Sequence, residues 1–273
     1  MRFTVLVACL LVPFAAVAQG SQGEGAGTWN GGVAFSVAQF HYDEFVNNAV
    51  LDRETGALPG FVTTLGYTRG RWQAEGRLGY RRGTVDYYGQ TQAGAAVQSR
   101  TDAAILDFSV RGGYRLPALG RWRSSVYGGL GYRRWERDIH STPQAFGVAE
   151  TYRWGYGFVG GTVGLPLDAR TTVILDGRVT RSFAAQLGVD FGGVFDGQTL
   201  GVEDRFAGRL GLRFDYRLPN GWAVAAGPYV EWWNLGQGAS QPLRQGGAQV
   251  GSVFEPRSAT RVIGFEVGLR HAL

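Results

Sequence analysis

The 273-residue sequence has one cysteine, Cys9, one methionine, Met1, and no lysine; all 27 of its basic residues are arginine. Cys9 falls in the first eighteen residues, MRFTVLVACLLVPFAAVA, where Arg2 precedes an apolar core from Val5 to Val17 and Ala16-Val17-Ala18 forms an A-x-A site. That is the pattern of a secretory signal peptide cleaved after Ala18. Its removal takes Cys9 away, so disulfides, thiolate nucleophiles and cysteine metal sites are excluded from the mature chain. Leu6-Val7-Ala8-Cys9 resembles a lipobox, but too few residues precede it for a signal core. After residue 18 no apolar run is long enough for a membrane helix. Histidine is scarce, with three in the chain. The net charge of +5 is spread along the sequence rather than gathered in a patch, which argues against a nucleic-acid partner.

What the chain does have is glycine, 44 residues of it, and strict alternation. In RFAGRLGLRFDYRL, residues 205–218, one row is Phe206, Gly208, Leu210, Leu212, Phe214, Tyr216 and Leu218, and the other carries Arg205, Arg209, Arg213 and Arg217. Alternation of period two is a β-strand with two different neighbours. The length exceeds the five or six residues usual in soluble domains and reaches the nine to eleven of a membrane-spanning strand. The pattern recurs in ten predicted strands, near 28–42, 59–69, 71–86, 102–116, 121–137, 151–165, 171–183, 204–218, 221–235 and 259–273. Short connections at 69–71, 117–120, 166–170 and 219–221 alternate with longer polar ones at about 43–58, 87–101, 138–151, 184–203 and 236–258. In the strand at 151–165, Tyr152, Trp154, Tyr156 and Phe158 share one phase while Val163 and Leu165 hold the other, and a bulge near Gly160-Gly161 would account for the slip.

Aromatics choose the outer face. Trp72, Trp122 and Trp222 follow short turns and Tyr114 and Tyr216 precede them; Tyr80, Tyr132, Trp154 and Trp232 lie toward the longer connections. Two rings of Trp and Tyr bounding an apolar band match the two interfaces of a bilayer. The apolar row then faces lipid and the arginines face the lumen. Even strand number, loops sorted by length and aromatic girdles together give a chain that resembles the bacterial outer-membrane β-barrel superfamily over its whole mature length, in architecture rather than in any family-specific motif. The resemblance implies an all-β, ten-stranded antiparallel up-and-down transmembrane barrel over residues 28–273, with short periplasmic turns and five long extracellular loops, preceded by a signal peptide (1–18) and a short periplasmic segment (19–27). It implies a place in the outer membrane, and as partners outer-membrane lipid, lipopolysaccharide and the assembly machinery. Such barrels usually end in an aromatic residue that this machinery reads; here the last residue is Leu273.

The inward phase collects Arg77, Arg81, Arg111, Arg115, Arg133, Arg178, Arg205, Arg209, Arg213 and Arg217, with Arg123, Arg137, Arg153 and Arg270, against Glu75, Asp107, Asp176, Asp215, Glu231 and Glu266. Two readings stay open: a lumen filled by Arg–carboxylate pairs, favoured by ten strands being near the filled end of the size range, or a narrow anion-preferring pore lined by surplus arginines, with Gly79, Gly113, Gly129, Gly131 and Gly211 leaving room. Arg82, Arg134, Arg181 and Arg261 fall on the lipid phase about ten to twelve residues from the short turns, at the outer interface. There a guanidinium can meet lipopolysaccharide phosphate or simply reach into water. The longer connections are acidic, with Asp43, Glu44, Asp52, Glu54, Asp86, Asp102, Asp138, Glu150, Asp190, Asp196, Glu203, Asp204 and Glu255, and read as solvated loops able to meet an extracellular ligand. None has the spacing of a dedicated calcium site, and no metal or cofactor is expected.

Some barrels of this superfamily are hydrolases, which need a histidine with a carboxylate or a serine near the outer rim. His41 stands near Asp43 and Glu44, His140 beside Asp138 and Ser141, and His271 near the periplasmic end. The paired acids facing an Asp/His pair of an omptin-like protease are not legible, so the expectation is a structural or surface-interaction barrel, then a small anion-selective porin, then a rim-active omptin-like or lipid-acting hydrolase.

Overall fold

The computed structural model describes residues 27–91 and 94–273; the expected signal peptide, its cleavage site and the segment 19–26 lie outside them. The strands are β1 (Thr28–Val46), β2 (Ala49–Arg69), β3 (Trp72–Gln90), β4 (Ala96–Arg115), β5 (Arg123–Ile139), β6 (Val148–Pro166), β7 (Thr171–Asp190), the short β8 (Gln198–Gly201), β9 (Phe206–Arg217), β10 (Trp222–Leu235), the hairpin β11 (Gln241–Gln245) and β12 (Ala248–Val253), and β13 (Arg257–Ala272). Every pairing is antiparallel, in the order β6-β5-β4-β3-β2-β1-β13-β10-β9-β7, and β6–β7 closes the ring. Ten strands thus form a closed barrel with no free edge. Gly120 adopts the left-handed conformation that the short turn before Arg121 demands. Asp168 accepts from the Arg170 and Thr171 amides at 2.7 and 2.8 Å, which fixes the β6–β7 turn and holds its carboxyl below the usual range.

The strands outrun the alternation on the extracellular side. The polar segment at 43–58 is almost all strand, and β1 passes to β2 through Asn47–Asn48 alone, both at positive φ as a two-residue hairpin turn requires. β1 to β7, at 17 to 21 residues each, exceed the nine to eleven that lipid needs. The surplus stands above the membrane as a collar of sheet. On that side β11–β12 docks on the β7–β8 connection, where Asp196 accepts from the Gly246 and Gly247 amides at 2.9 and 2.8 Å.

Ion pairs identify the lumen. Arg133 on β5 meets Glu231 on β10 at 2.5 Å, and Arg77 on β3 meets Glu266 on β13 at 2.7 Å. Neither strand pair is adjacent in the sheet, so both contacts cross the interior. The opposite phase is the exposed one: Val33, Phe35, Leu65, Phe108, Leu130, Val159, Leu210, Phe214, Ile263 and Phe265 are each more than 40% exposed. In water such a surface would be a large aggregation liability; in lipid it is solvated.

One strand departs from expectation. Tyr152, Trp154, Tyr156 and Phe158 are buried, and Trp154 lies beneath the Arg133 guanidinium rather than in the outer girdle. Pairing of β6 runs without interruption through Gly160 and Gly161 on both sides; the irregularity lies at Arg153–Gly155 against β7, beside Ala184 at positive φ. The apolar row of β6 therefore points inward throughout its upper half, and Arg153, on the other phase, points outward. The physical reason is a filled barrel. Above the midplane aromatic rings pack its interior, so apolar does not mean lipid-facing there.

Candidate functional site

The lumen holds two stacked clusters of charge. In the collar, Arg137 is fully buried. Its guanidinium meets Glu150 at 2.7 Å and Glu44 and Glu54 at 3.0 Å each, and lies 4.5 Å over the Tyr42 ring. Tyr42 donates to Glu44 at 2.5 Å, Thr101 to Glu54 and Tyr152 to Glu255 at 2.6 Å, and Tyr87 to Asp52 at 3.4 Å. One arginine thus stands among five carboxylates. Burial, followed by the charges of Glu44 and Glu54, pushes the Glu150 carboxyl up to about 7 against the pull of Arg137. Burial and then Glu44 raise Asp52 well above the carboxylate range, and the same two causes raise Glu255. The cluster carries protons that loop acids in water would not. These acids are buried, Glu150 nearly so, rather than solvated loop residues, and the inward phase of β1, β2 and β6 continued past the lipid reaches four of them, as Phe40-Tyr42-Glu44, Asp52-Glu54 and Glu150-Tyr152.

The second cluster, at the membrane level, is the inverse. Glu231 is buried, with Arg133 at 2.5 Å and Arg81, Arg178 and Arg209 at 3.6 to 3.9 Å. Asp107 pairs with Arg133 at 2.8 Å and accepts from Tyr156 at 2.9 Å. Rings fill the remaining space. Trp233 and Tyr229 lie 4.5 and 3.9 Å from the Arg133 and Arg209 guanidinium centres. Gly131 does not leave a void, because a Cβ there would stand 2.2 Å from the Tyr156 ring; Gly129 is covered by Phe158 in the same way.

Below this layer Arg77 and Arg209 share Glu266, Arg111 pairs with Glu75 at 2.9 Å and lies 3.6 Å from Asp176, and Arg213 pairs with Asp215 at 2.7 Å. A cavity of about 150 Å³ lies among them. Arg115 and Arg217 are on the inward phase but exposed, at the periplasmic mouth. Arg205 is half exposed at the opposite end, paired with Glu203 at the outer rim rather than lining the membrane-level lumen.

On the outer surface Trp72, Trp122, Trp222, Tyr216, Tyr132 and Trp232 are exposed. Tyr114 packs edge-on against Trp72 at 5.0 Å, Tyr80 packs on Phe61, and Trp29 with Tyr67 extends the periplasmic ring. Arg82, Arg181 and Arg261 are exposed, Arg181 lying over Phe206, and Arg134 is half exposed and bound to Glu136. Arg153 joins them, directly opposite Arg134 across β5–β6.

No histidine faces the lumen. His41 bonds to Asp43 at 3.0 Å on the outer face, where Arg53 also holds Asp43 at 2.7 Å. His140 lies 3.2 Å from Asp102, whose carboxyl is held below its ordinary range by the Thr84 hydroxyl and then by His140. The Ser141 hydroxyl beside it accepts from the Gly147 amide at 2.8 Å. His271 packs at a tilt against Trp222 at the periplasmic end, 4.6 Å between ring centroids. Among the described residues no cluster of His, Asp and Glu has metal-binding geometry.

No family model matches the chain, and no curated protein matches it. Among solved structures it is similar to the outer membrane protease OmpT from Escherichia coli, at 9% identity and TM-score 0.62, over 90% of this chain and 97% of that one. It also aligns with the outer membrane protein OprG from Pseudomonas aeruginosa at 13% identity and TM-score 0.43, over 92% and 98%. At such identities the first likeness speaks for the fold alone. By that likeness and by its own closed ring of ten antiparallel strands, the chain has the fold of the outer-membrane β-barrel proteins.

Proposed function

We propose that this chain is a closed outer-membrane barrel that acts through its surface rather than by passing solutes through its lumen. The observation that carries this reading is the pair of stacked clusters. Side chains from β1, β2, β5 and β6 converge on Arg137, and side chains from β3, β5, β7, β9 and β10 converge on Glu231. The gap among the lower layer's side chains is about 10 Å³, room for one water at most. The working surfaces are then the extracellular connections, with the docked β11–β12 hairpin, and the outward arginines at the outer interface. Five of these, Arg82, Arg134, Arg153, Arg181 and Arg261, are placed to meet lipopolysaccharide phosphate with planar, permanently charged donors.

The test is single-channel recording from the refolded protein in a planar bilayer under a salt gradient, with folding checked by heat-shifted gel mobility. A silent bilayer is expected. Steady anion-selective openings that lose their preference when Arg209 and Arg213 are replaced by Gln would overturn the reading in favour of an anion-selective porin, the second reading, which the arginine-lined cavity favours. Replacing the five outward arginines by Gln is expected to lower lipopolysaccharide co-purification; unchanged co-purification would sink that part. Loss of a surface-binding phenotype on deleting 241–253, with the barrel intact, would place the partner at the hairpin.

A further inference from the structure

The cavity below the Glu231 layer is unlike the rest of the lumen. It holds about 150 Å³, where a single water needs only some 10–15 Å³ on the same measure. Six arginines line it: Arg77, Arg111, Arg178, Arg209, Arg213 and Arg270. The carboxylates that serve them are shared. Glu266 is divided between Arg77 and Arg209, and Asp215 between Arg213 and Arg270, the last at 3.4 Å. Asp176 accepts from Tyr127 at 3.1 Å and lies 3.6 Å from Arg111, whose closer partner is Glu75. Arg178 meets no carboxylate nearer than Glu231 at 3.7 Å, a residue already bonded to Arg133, and its buried Nε has no partner. Six fixed cations thus face four acids and a share of Glu231, and each guanidinium carries five N–H donors, more than the acids accept.

The chamber sits in the periplasmic half. Its wall ends at Gly32 and Arg270, near the foot of β1 and β13, and its roof is the packed Glu231 layer. Arg115, Arg123 and Arg217 stand exposed at the foot of β4, β5 and β9. A positive mouth therefore leads to a positive chamber with no exit. Arginine cannot shed its charge, so the imbalance must be answered by an anion, and a chamber this size admits one carrying several oxygens.

We propose that this chamber is a binding site for a small multivalent oxyanion of the phosphate or pyrophosphate class, entered from the periplasm. Its blind end rests on the closed-lumen reading; the anion site itself does not. Several guanidinium groups converge on one space, as bidentate recognition of phosphate oxygens requires. A univalent ion such as chloride would leave most of those donors unused.

The experiment is isothermal titration calorimetry of the refolded barrel in detergent, with inorganic phosphate and then pyrophosphate, at constant ionic strength set with sodium chloride. Saturable one-site binding is expected, tighter for pyrophosphate, and weakened about tenfold or more in the Arg213→Gln/Arg270→Gln variant, as for the loss of charge-assisted contacts. No saturable heat with either anion, from protein shown to be folded by gel mobility, overturns the proposal, as does unchanged affinity in the variant. Should the variant fail to fold, phosphorus NMR of pyrophosphate with the wild-type barrel decides: broadening that excess unlabelled pyrophosphate reverses supports the site, and an unaltered line overturns it. Bilayer recording separates the two readings. Current blocked by pyrophosphate removes the closed lumen and keeps the site. A silent bilayer without binding keeps the closed lumen and removes the site.

Discussion

The two lumen clusters are inverses of each other. In the collar one arginine, Arg137, pairs with three carboxylates; at the membrane level one glutamate, Glu231, serves four arginines. The difference between them is chemical. A buried carboxylate can take up a proton and become neutral, but an arginine stays charged at any accessible pH. The upper cluster can therefore relieve its own imbalance from solution, and does so with a Glu150 pushed up to about 7. The lower one has no such route and depends on its hub.

The largest effect should follow from removing that hub. Glu231→Gln leaves Arg81, Arg133, Arg178 and Arg209 facing one another without a central acid, and is expected to cost about 3–5 kcal/mol, the usual penalty for orphaning buried charge. Urea unfolding of the barrel in detergent measures it. The same variant should open the layer by repulsion, so transient conductance where the parent is silent is the second readout.

Arg137→Met tests the other side. At pH 8 it leaves Glu150 ionised in a packed collar without its guanidinium partner and should cost about 3 kcal/mol; at pH 5 Glu150 is protonated and the cost should be smaller. An equal cost at both pH values would break the comparison, because it would mean the collar does not titrate.

A smaller effect isolates one proton. The folded-state pKa of Glu150, at about 7, lies above its ordinary value, so between roughly pH 4.5 and 7 the folded barrel binds more protons than the unfolded chain. The contribution of Glu150 to stability then falls as pH rises through that window and is flat outside it. The loss should be about 2 kcal/mol, the full shift being discounted for the group's residual exposure. Glu150→Gln should flatten it, read as the pH dependence of the unfolding midpoint and of Trp135 fluorescence.

How far these clusters were legible in the sequence differs by level. On β9, Phe206, Leu210 and Phe214 are exposed on the outer face while Arg209 and Arg213 pair with acids inside, because there the lipid selects the apolar phase. In the collar that selection fails. Lipid no longer selects the outer face, so Arg53 and Asp43 lie outside while Trp135 and Tyr152 lie inside. Trp154 lies at the level of Arg133, where rings fill the lumen and an apolar residue can face inward, and the acids around Arg137 continue the inward phase beyond the lipid. Which strands face each other across the lumen was beyond any local pattern. The Arg133–Glu231 contact joins positions 98 residues apart, and alternation fixes only the face of each.

The smallest effect lies outside the barrel, and it sharpens what burial contributes. Arg134 and Glu136 form an ion pair on the outer face at 43% and 46% exposure, with Arg153 directly opposite Arg134. Water and salt screen such a pair, and the like charge of Arg153 offsets part of its attraction. Arg134→Gln should therefore move stability by no more than about 0.5 kcal/mol. The same arginine-to-carboxylate chemistry that makes Glu231 indispensable in the lumen should be nearly silent here, because an exposed partner left alone is resolvated. If instead Arg134→Gln destabilised the barrel by as much as Glu231→Gln in the same unfolding series, dehydration of the lumen would not be what sets the two apart.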